Sequence, residues 1–356
     1  MSRTKYFAAI LAVMVALMLA LVGCGSDDTT DTTSAEPAAT DTTEATDATS
    51  ETTADSEMSD AEVLAQQGSG TVAIITVDPS NPYWKAEIDT AQATAEALGY
   101  DTTIDAHNND PDLQNQFIDG AISKGAVAII LDPAGADESV GAVQKATDAG
   151  IPVFLVNAEI SEQGIAKSQI VSNNAQGATL GAQEWADAMG GAGTYVELFG
   201  NPTDNNARVR SDAYAEVLSQ FPDLIEVGEE TANWDRTQGK DKMEILLSAH
   251  PDITGVISGN DEMALGAIQA LKDAGRLDDV LVLGFDGNQD AVNAVKAGEM
   301  VATVLQPIVR GSELAVQQMH RYLLTGSTGA PEKQAIDCIL ITPENADNFN
   351  NFVQVQ

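Results

Sequence analysis

A regular alternation of short apolar runs with longer segments of helical spacing constrains this chain more than any other feature. The runs are rich in β-branched residues, as in TVAIITV (71–77) and AVAIILD (126–132), and they recur to the end of the chain. Segments such as DESVGAVQKATDAG (137–150) lie between them and end in glycine, which closes a helix in the left-handed conformation. Apolar strands that alternate with helices predict parallel sheets with helices on both faces. The sequence therefore predicts an α/β fold, and the length after residue 70 fits two such lobes in tandem with a cleft between them.

The first residues have the composition of a secretory signal. A basic stretch, MSRTKYF, precedes an apolar stretch that ends in small residues, which predicts a signal peptide at 1–23. The junction LVGCGS resembles a bacterial lipobox, in which the thiol of Cys24 is lipidated. A retained transmembrane helix with an incidental cysteine is the alternative. Residues 24–69 are rich in Thr, Ala, Asp and Glu and lack aromatic side chains, so we expect a lipidated Cys followed by a disordered acidic tether.

Charge and residue counts exclude several classes of site. The formal net charge of −37 argues against nucleic acid or an anionic membrane surface as a partner, because both are bound through Lys and Arg. Once Cys24 is lipidated, Cys338 has no partner for a disulfide. The three histidines show no ligand spacing, so we expect no metal site and no cofactor.

Polar and aromatic side chains follow most of the predicted strands. Open parallel sheets bind ligands in the crevice beyond the carboxyl ends of their strands, and the candidates there are Asn81, Tyr83, Trp84, Asp132, Asn157, Glu159, Arg208, Trp234, Asn260, Asp286 and Gln306. Taken singly, many of them have a structural explanation as turn or helix-capping residues. As a set, the carboxylates, amides and guanidinium suit the hydroxyls of a small neutral polyhydroxylated molecule. The aromatic rings suit its C–H faces.

Several segments, in order and spacing, resemble one family. SNPYW, AIILDPAGAD, NARVRS, ANWDR, GNDEMALGAIQAL and VLGFDG are similar to segments of the ribose/galactose-type substrate-binding proteins of bacterial sugar ABC transporters. The resemblance implies a type I periplasmic binding protein with two Rossmann-like lobes and a three-segment hinge, which closes on a sugar and docks on the permease subunits. It marks every candidate above except Glu159. It also implies an N-terminal lobe of 70–172 plus 307–338 and a C-terminal lobe of 173–306 plus 339–356. We expect a monomer held at the extracytoplasmic face of the membrane by its lipid.

The chain also departs from that family. Ribose binders carry an Asp-Arg pair where this chain has Asn157-Ala158. Loss of the arginine removes a multi-donor fork, so ribose is not the expected ligand. Glu159 is a candidate to compensate for the missing arginine as a hydrogen-bond acceptor. A sugar alcohol has no ring oxygen to receive the arginine's donors, so it is a candidate ligand, as is a pentose-sized sugar.

Three other functions remain as alternatives. A glycosidase would use Asp132 and Asp286 at a defined separation, but no nucleophilic or metal constellation supports an enzyme. A sensor lipoprotein would share the binding chemistry and differ only in its docking partner. A sugar-responsive repressor would need an N-terminal helix-turn-helix, but this sequence has the predicted signal peptide and acidic tether at that position.

Overall fold

The structure is a computed structural model that describes residues 58–355. The predicted signal peptide, Cys24 and the tether up to residue 57 lie outside the described residues. The helices are α1 Asp60–Leu64, α2 Pro82–Ala97, α3 Pro111–Lys124, α4 Val140–Asp148, α5 Asn174–Ala188, α6 Asn205–Leu218, α7 Arg236–Ala249, α8 Asp261–Asp273, α9 Gln289–Ala297 and α10 Ile308–Thr325. The strands are β1 Thr71–Thr76, β2 Asp101–Ala106, β3 Ala128–Leu131, β4 Val153–Asn157, β5 Ser168–Ser172, β6 Ala192–Phe199, β7 Asp223–Thr231, β8 Gly255–Ser258, β9 Leu281–Leu283, β10 Thr303–Leu305, β11 Lys333–Ile336, β12 Ile339–Ile341, β13 Phe349–Asn350 and β14 Val353–Gln354.

Two separate parallel sheets form the two lobes of the molecule. The first lobe contains a six-stranded sheet in the order β11-β5-β4-β3-β1-β2, and the second contains a four-stranded sheet in the order β7-β6-β8-β9. All neighbouring strands within each sheet run parallel. The predicted α/β fold with two parallel sheets is therefore confirmed.

The central strands of the first lobe are buried on both faces, as their sequences predicted. Every residue of β3 and β4 is buried. Side chains of α2 and α10 pack on one face of this sheet, and those of α3 and α4 pack on the other. Because helices cover both faces of this sheet, its exposed positions are the loops at the ends of the strands. The cleft lies at one of these ends.

The chain passes between the two sheets three times. It leaves the first sheet after β5, returns from β10 through α10, and leaves again between β11 and β12, which pairs antiparallel with β10. The segments predicted as hinges, near 172–173, 306–307 and 338–339, lie in these passages, and their role as hinges stays a prediction. Cys338 lies buried in the third of them as a free thiol.

The folded part begins earlier than the sequence predicted. The tether was expected to run to residue 69, but α1 forms within that range and packs on α10. Val63 is only 1% exposed, and its carbonyl oxygen lies 3.0 Å from His320 Nε2. Arg321 Nη1 donates to Asp60 Oδ1 at 2.7 Å. One buried apolar side chain in five residues gives too weak a periodic signal to reveal such a helix from sequence.

Within residues 58–355, none of the helices has both the length and the apolar character that crossing a membrane requires.

Candidate functional site

A small cavity lies where the carboxyl ends of strands from the two sheets meet. The space between its walls is about 260 Å³, of which the centre of a water-sized sphere can reach about 20 Å³. Amide, carboxyl, guanidinium and aromatic side chains line it: Asn81, Tyr83, Trp84, Asn157, Asp204, Asn206, Arg210, Trp234, Asn260, Asp286 and Gln306. A wider cleft of about 620 Å³ adjoins the cavity and shares Asn81, Trp84 and Trp234 with it.

The first wall is built by the beginning of α2. Asn81 is the N-cap residue, and its side-chain oxygen accepts from the backbone N–H of Tyr83 at 2.9 Å. Pro82 occupies the first helical position, where its fixed φ and missing N–H favour helix initiation. The next two residues, Tyr83 and Trp84, therefore leave the helix in its first turn and are 4% and 7% exposed.

Hydrogen bonds connect the polar groups along the floor of the cavity. The Tyr83 hydroxyl lies 2.9 Å from Asn157 Oδ1 and 3.2 Å from Gln306 Oε1, both of which are acceptors. Asn157 Nδ2 donates to Asp132 Oδ2 at 2.8 Å. Gln306 Nε2 donates to Asp286 Oδ1 at 2.6 Å. The chain of bonds thus runs from one buried carboxyl group to another, with Tyr83 in its middle.

The second wall is Trp234, which lies in the loop after β7. Its backbone has φ of 66°, and no Cβ could be tolerated at Gly200, where it would lie 2.1 Å from Trp234 Cη2. The Arg210 guanidinium carbon lies 5.2 Å from the centroid of the Trp234 ring and 4.0 Å from that of Phe285. Within the described residues, the indole N–H groups of Trp84 and Trp234 are buried without a hydrogen-bond partner. Each indole faces a carboxyl group of the protein, that of Asp132 for Trp84 and that of Asp204 for Trp234.

Three predicted residues have a different environment from the one expected. Arg208 is exposed on α6, and Arg210 lines the cavity in its place. The reason is helical spacing, because Ala207, Ala213 and Tyr214 form the buried face of α6 and position 210 belongs to that face. Position 210 lies three residues from both Ala207 and Ala213, and this helical spacing was the available signal.

Glu159 does not replace the missing arginine. Its carboxylate lies 3.0 Å from Lys333 Nζ in a partly exposed ion pair and does not line the cavity. Asp132, in contrast, is 1% exposed and contributes through its bond to Asn157 rather than as a lining residue.

Sequence reasoning missed two lining residues near the start of α6. Asp204 is the N-cap residue of this helix and accepts from the backbone N–H of Asn206 at 2.9 Å. Asn206 Nδ2 donates to the carbonyl oxygen of Asn157 at 3.3 Å. The N-cap pattern TDNNAR was the available signal, because it places a helix start after β6 at the same edge as the other candidates.

Arg210 and Asp286 form the electrostatic centre of the site. Arg210 donates to Asn174 Oδ1 at 2.7 Å and to the carbonyl oxygen of Gly259 at 2.9 Å, and its Nη1 lies 3.6 Å from Asp286 Oδ1. Burial raises the pKa of Asp286 well above its usual value, while the charge of Arg210 opposes that shift. Such a buried pair contributes to the specificity of the site rather than to the stability of the fold, because the cost of removing both charges from water offsets much of their attraction.

Backbone strain is concentrated at the same place. Asn157, Trp234 and Asp286 have φ values of 67°, 66° and 134°, which side-chain-bearing residues seldom adopt. Such strain persists only where the surrounding structure imposes it and is typical of ligand sites.

The two sides of the cleft touch each other in this structure. Asn81 Nδ2 donates to the carbonyl oxygen of Trp234 at 3.4 Å, and the Ala136 N–H donates to the carbonyl oxygen of Thr203 at 3.4 Å. These bonds join the first lobe to the second around the cavity. A molecule held there would be surrounded by groups of both lobes, with hydroxyl partners at its edge and aromatic walls at its faces.

Comparisons with known proteins agree with this arrangement. A family model described as "Periplasmic binding protein domain" matches residues 72–327. A D-apiose import binding protein of Paraburkholderia graminis is 50% identical over 80% of this chain and 91% of its own length. One from Actinobacillus succinogenes is 49% identical over 82% of this chain and 94% of its own length. The crystal structure of an ABC transporter solute binding protein from Bacillus halodurans with bound myo-inositol is 26% identical, covers 80% of this chain and 98% of that one, and gives a TM-score of 0.73. The chain belongs to the periplasmic binding protein family.

Proposed function

We propose that this protein captures a small neutral sugar in the cavity between its lobes and delivers it to the permease subunits of an ABC importer. The observation that carries the proposal is the cavity itself. Carboxylate acceptors, amide groups, one guanidinium and two buried indole rings converge on this cavity. Charged and amide groups of this kind satisfy the hydroxyls of a sugar, and each bond to a charged group contributes about 1.5–3 kcal/mol.

We propose D-apiose, or a similarly small sugar, as the ligand. Two relatives at about half identity are named D-apiose import binding proteins. The absence of an arginine at Ala158 also disfavours a ligand that needs a donor fork there. D-Apiose is a branched five-carbon sugar, which agrees with the pentose-sized ligand expected from the sequence.

We further propose that the protein is a lipoprotein anchored through Cys24 after removal of residues 1–23. The support is the sequence LVGCGS after a basic and then apolar leader. A lipidated cysteine and an acidic tether would keep the binding lobes close to the permease. The test is the C24A variant in the native host, which should leave the membrane fraction. Retention of the variant in the membrane would contradict the lipid anchor.

A thermal-shift panel tests the ligand assignment. Purified residues 58–356 are heated with D-apiose, D-ribose, xylitol and myo-inositol in turn. A ligand at one hundred times its dissociation constant adds about 2.7 kcal/mol to the free energy of unfolding, which is a visible shift. We expect the largest shift with D-apiose. A larger shift with another member of the panel would contradict the D-apiose assignment while supporting sugar binding.

A further inference from the structure

A buried glutamate lies one helical turn behind the first wall of the cavity. Glu87 on α2 is 1% exposed, and glutamate is almost never fully buried without a partner. The Thr76 hydroxyl donates to its Oε1 at 3.0 Å. Its other oxygen, Oε2, accepts from no donor in the described part of the chain. None of the ion pairs among residues 58–355 includes Glu87.

Asp132 lies beside Glu87, because its backbone N–H donates at 2.9 Å to the carbonyl oxygen of Ile75, the residue before the Thr76 that binds Glu87. The two carboxyl groups influence each other's protonation. Both side chains are 1% exposed. Two carboxylates in contact in a buried place cannot both be ionised, because neither water nor a cation compensates their repulsion. One proton is therefore needed between them.

The other titratable or charged groups around the pair do not supply that compensation. The groups that face it from the surrounding elements are Tyr83, Trp84, His107 and Asp204. His107 Nε2 lies 2.8 Å from the backbone oxygen of Asp132, not from its carboxylate. Arg210 is engaged with Asn174, Gly259 and Asp286. The anionic neighbour Asp204 favours a protonated pair.

We propose that Glu87 and Asp132 share one proton at neutral pH, held on Glu87 and donated to Asp132, and that Glu87 thereby acts as a positioning residue for the ligand. The proton fixes Asp132 as an acceptor, which then receives Nδ2 of Asn157. Asn157 consequently presents Oδ1 to the Tyr83 hydroxyl. Glu87 does not line the cavity, but its proton determines which groups along the cavity floor donate and which accept. The ligand part of this inference rests on the proposed function.

Alkaline pH should remove the shared proton. Burial raises the pKa of both carboxyl groups, and the Asp132 charge adds to the shift of Glu87. The folded pair therefore binds a proton that the unfolded chain has already lost, so its contribution to stability decreases as pH rises through the raised pKa of the folded pair.

The E87Q variant tests the pair without any ligand. In E87Q the amide N–H₂ group donates to Asp132 at every pH. The melting temperature of E87Q should therefore decrease less than that of wild type between pH 5 and pH 9. E96Q, at an exposed glutamate further along α2, is the matched control and should follow wild type. Carbon-13 NMR of side-chain carboxyls should show at pH 7 a protonated carboxyl in wild type that is missing in E87Q. Parallel melting profiles of wild type and E87Q, or no protonated carboxyl assignable to the pair, would refute the shared proton.

Calorimetric titration with D-apiose tests the positioning role separately. E87Q should bind within a few-fold of wild type at pH 7, whereas E87L, which cannot donate, should bind at least ten-fold more weakly. Equal affinity of E87L and wild type would assign Glu87 to the fold alone. Failure of wild type to bind D-apiose would count against the proposed ligand and would leave the melting profiles as the test of the pair.

Discussion

Individual side chains at the cavity owe their positions to helix starts rather than to the strands before them. Asn81 and Asp204 are both N-cap residues, and Asn260 caps α8 by accepting from the backbone N–H of Met263 at 2.9 Å. Capping residues are short and polar and stand at the edge where parallel strands end. The same side chains therefore satisfy the helix and line the cavity.

Arg210 and Arg208 offer a matched pair of substitutions on one helix. R210Q removes a buried guanidinium beside Asp286 and Trp234, and we expect the Kd for D-apiose to rise roughly ten-fold to over one hundred-fold, the loss of one charged hydrogen bond. R208Q removes an exposed charge and should leave the Kd within two-fold. Calorimetric titration of both variants is the measurement. A larger effect of R208Q than of R210Q would contradict the placement of the guanidinium.

Sequence reasoning located the cavity residues well at strand ends and helix starts and poorly within a helix. The structure brings eight of the predicted side chains to one cavity: Asn81, Tyr83, Trp84, Asn157, Trp234, Asn260, Asp286 and Gln306. They follow strands or begin the next helix, so the rule of the carboxyl edge places them. Arg208 was wrong because its position depends on the rotation of a whole helix. Glu87 was not found, since nothing in a helical pattern distinguishes a buried carboxyl from an exposed one.

Among the elements, the strands with an apolar run were predictable and the short polar ones were not. β11 has the sequence KQAI and lies at the sheet edge beside β5, where a strand needs no continuous apolar run. α1 was equally hidden, because its five residues bury one side chain. Both elements acquire their structure from the surface on which they pack.

The docking of α1 on α10 can be tested by two neighbouring substitutions. V63D places a charge at a position that is 1% exposed and should lower the melting temperature by several degrees. L64D changes a side chain that is 38% exposed and should alter it little. Neither variant should change the affinity for D-apiose, because no residue of α1 lines the cavity. Equal melting temperatures for the two variants would show that α1 is not part of the fold.

At the scale of the whole molecule, buried carboxyl groups determine how stability depends on pH. Burial raises the pKa of Glu197 to about 8 and that of Asp261 to about 7, with Glu226 and Glu229 adding to the shift of Glu197. The folded protein therefore binds more protons than the unfolded chain between about pH 4 and pH 8. The contribution of these groups to stability is fully present below the pKa of the unfolded carboxyl groups and decreases as pH rises through the folded values.

We consequently expect the ligand-free protein to melt at a higher temperature at pH 5.5 than at pH 8.5. The net charge of −37 acts in the same direction, since partial protonation reduces repulsion across the chain. Calorimetric or fluorescence melting across this range is the measurement. The E197Q variant should show a shallower decrease than wild type. A melting temperature that rises steadily from pH 5.5 to pH 8.5 would contradict the protonated state of these buried groups.

The central claim is that a single small sugar binds between the two lobes, and calorimetric titration of wild-type protein with D-apiose tests it most directly. The account predicts a saturable heat with one site per chain, and a weaker response to D-ribose under the same conditions. The absence of saturable binding by D-apiose and by every other sugar or sugar alcohol of the panel would contradict it.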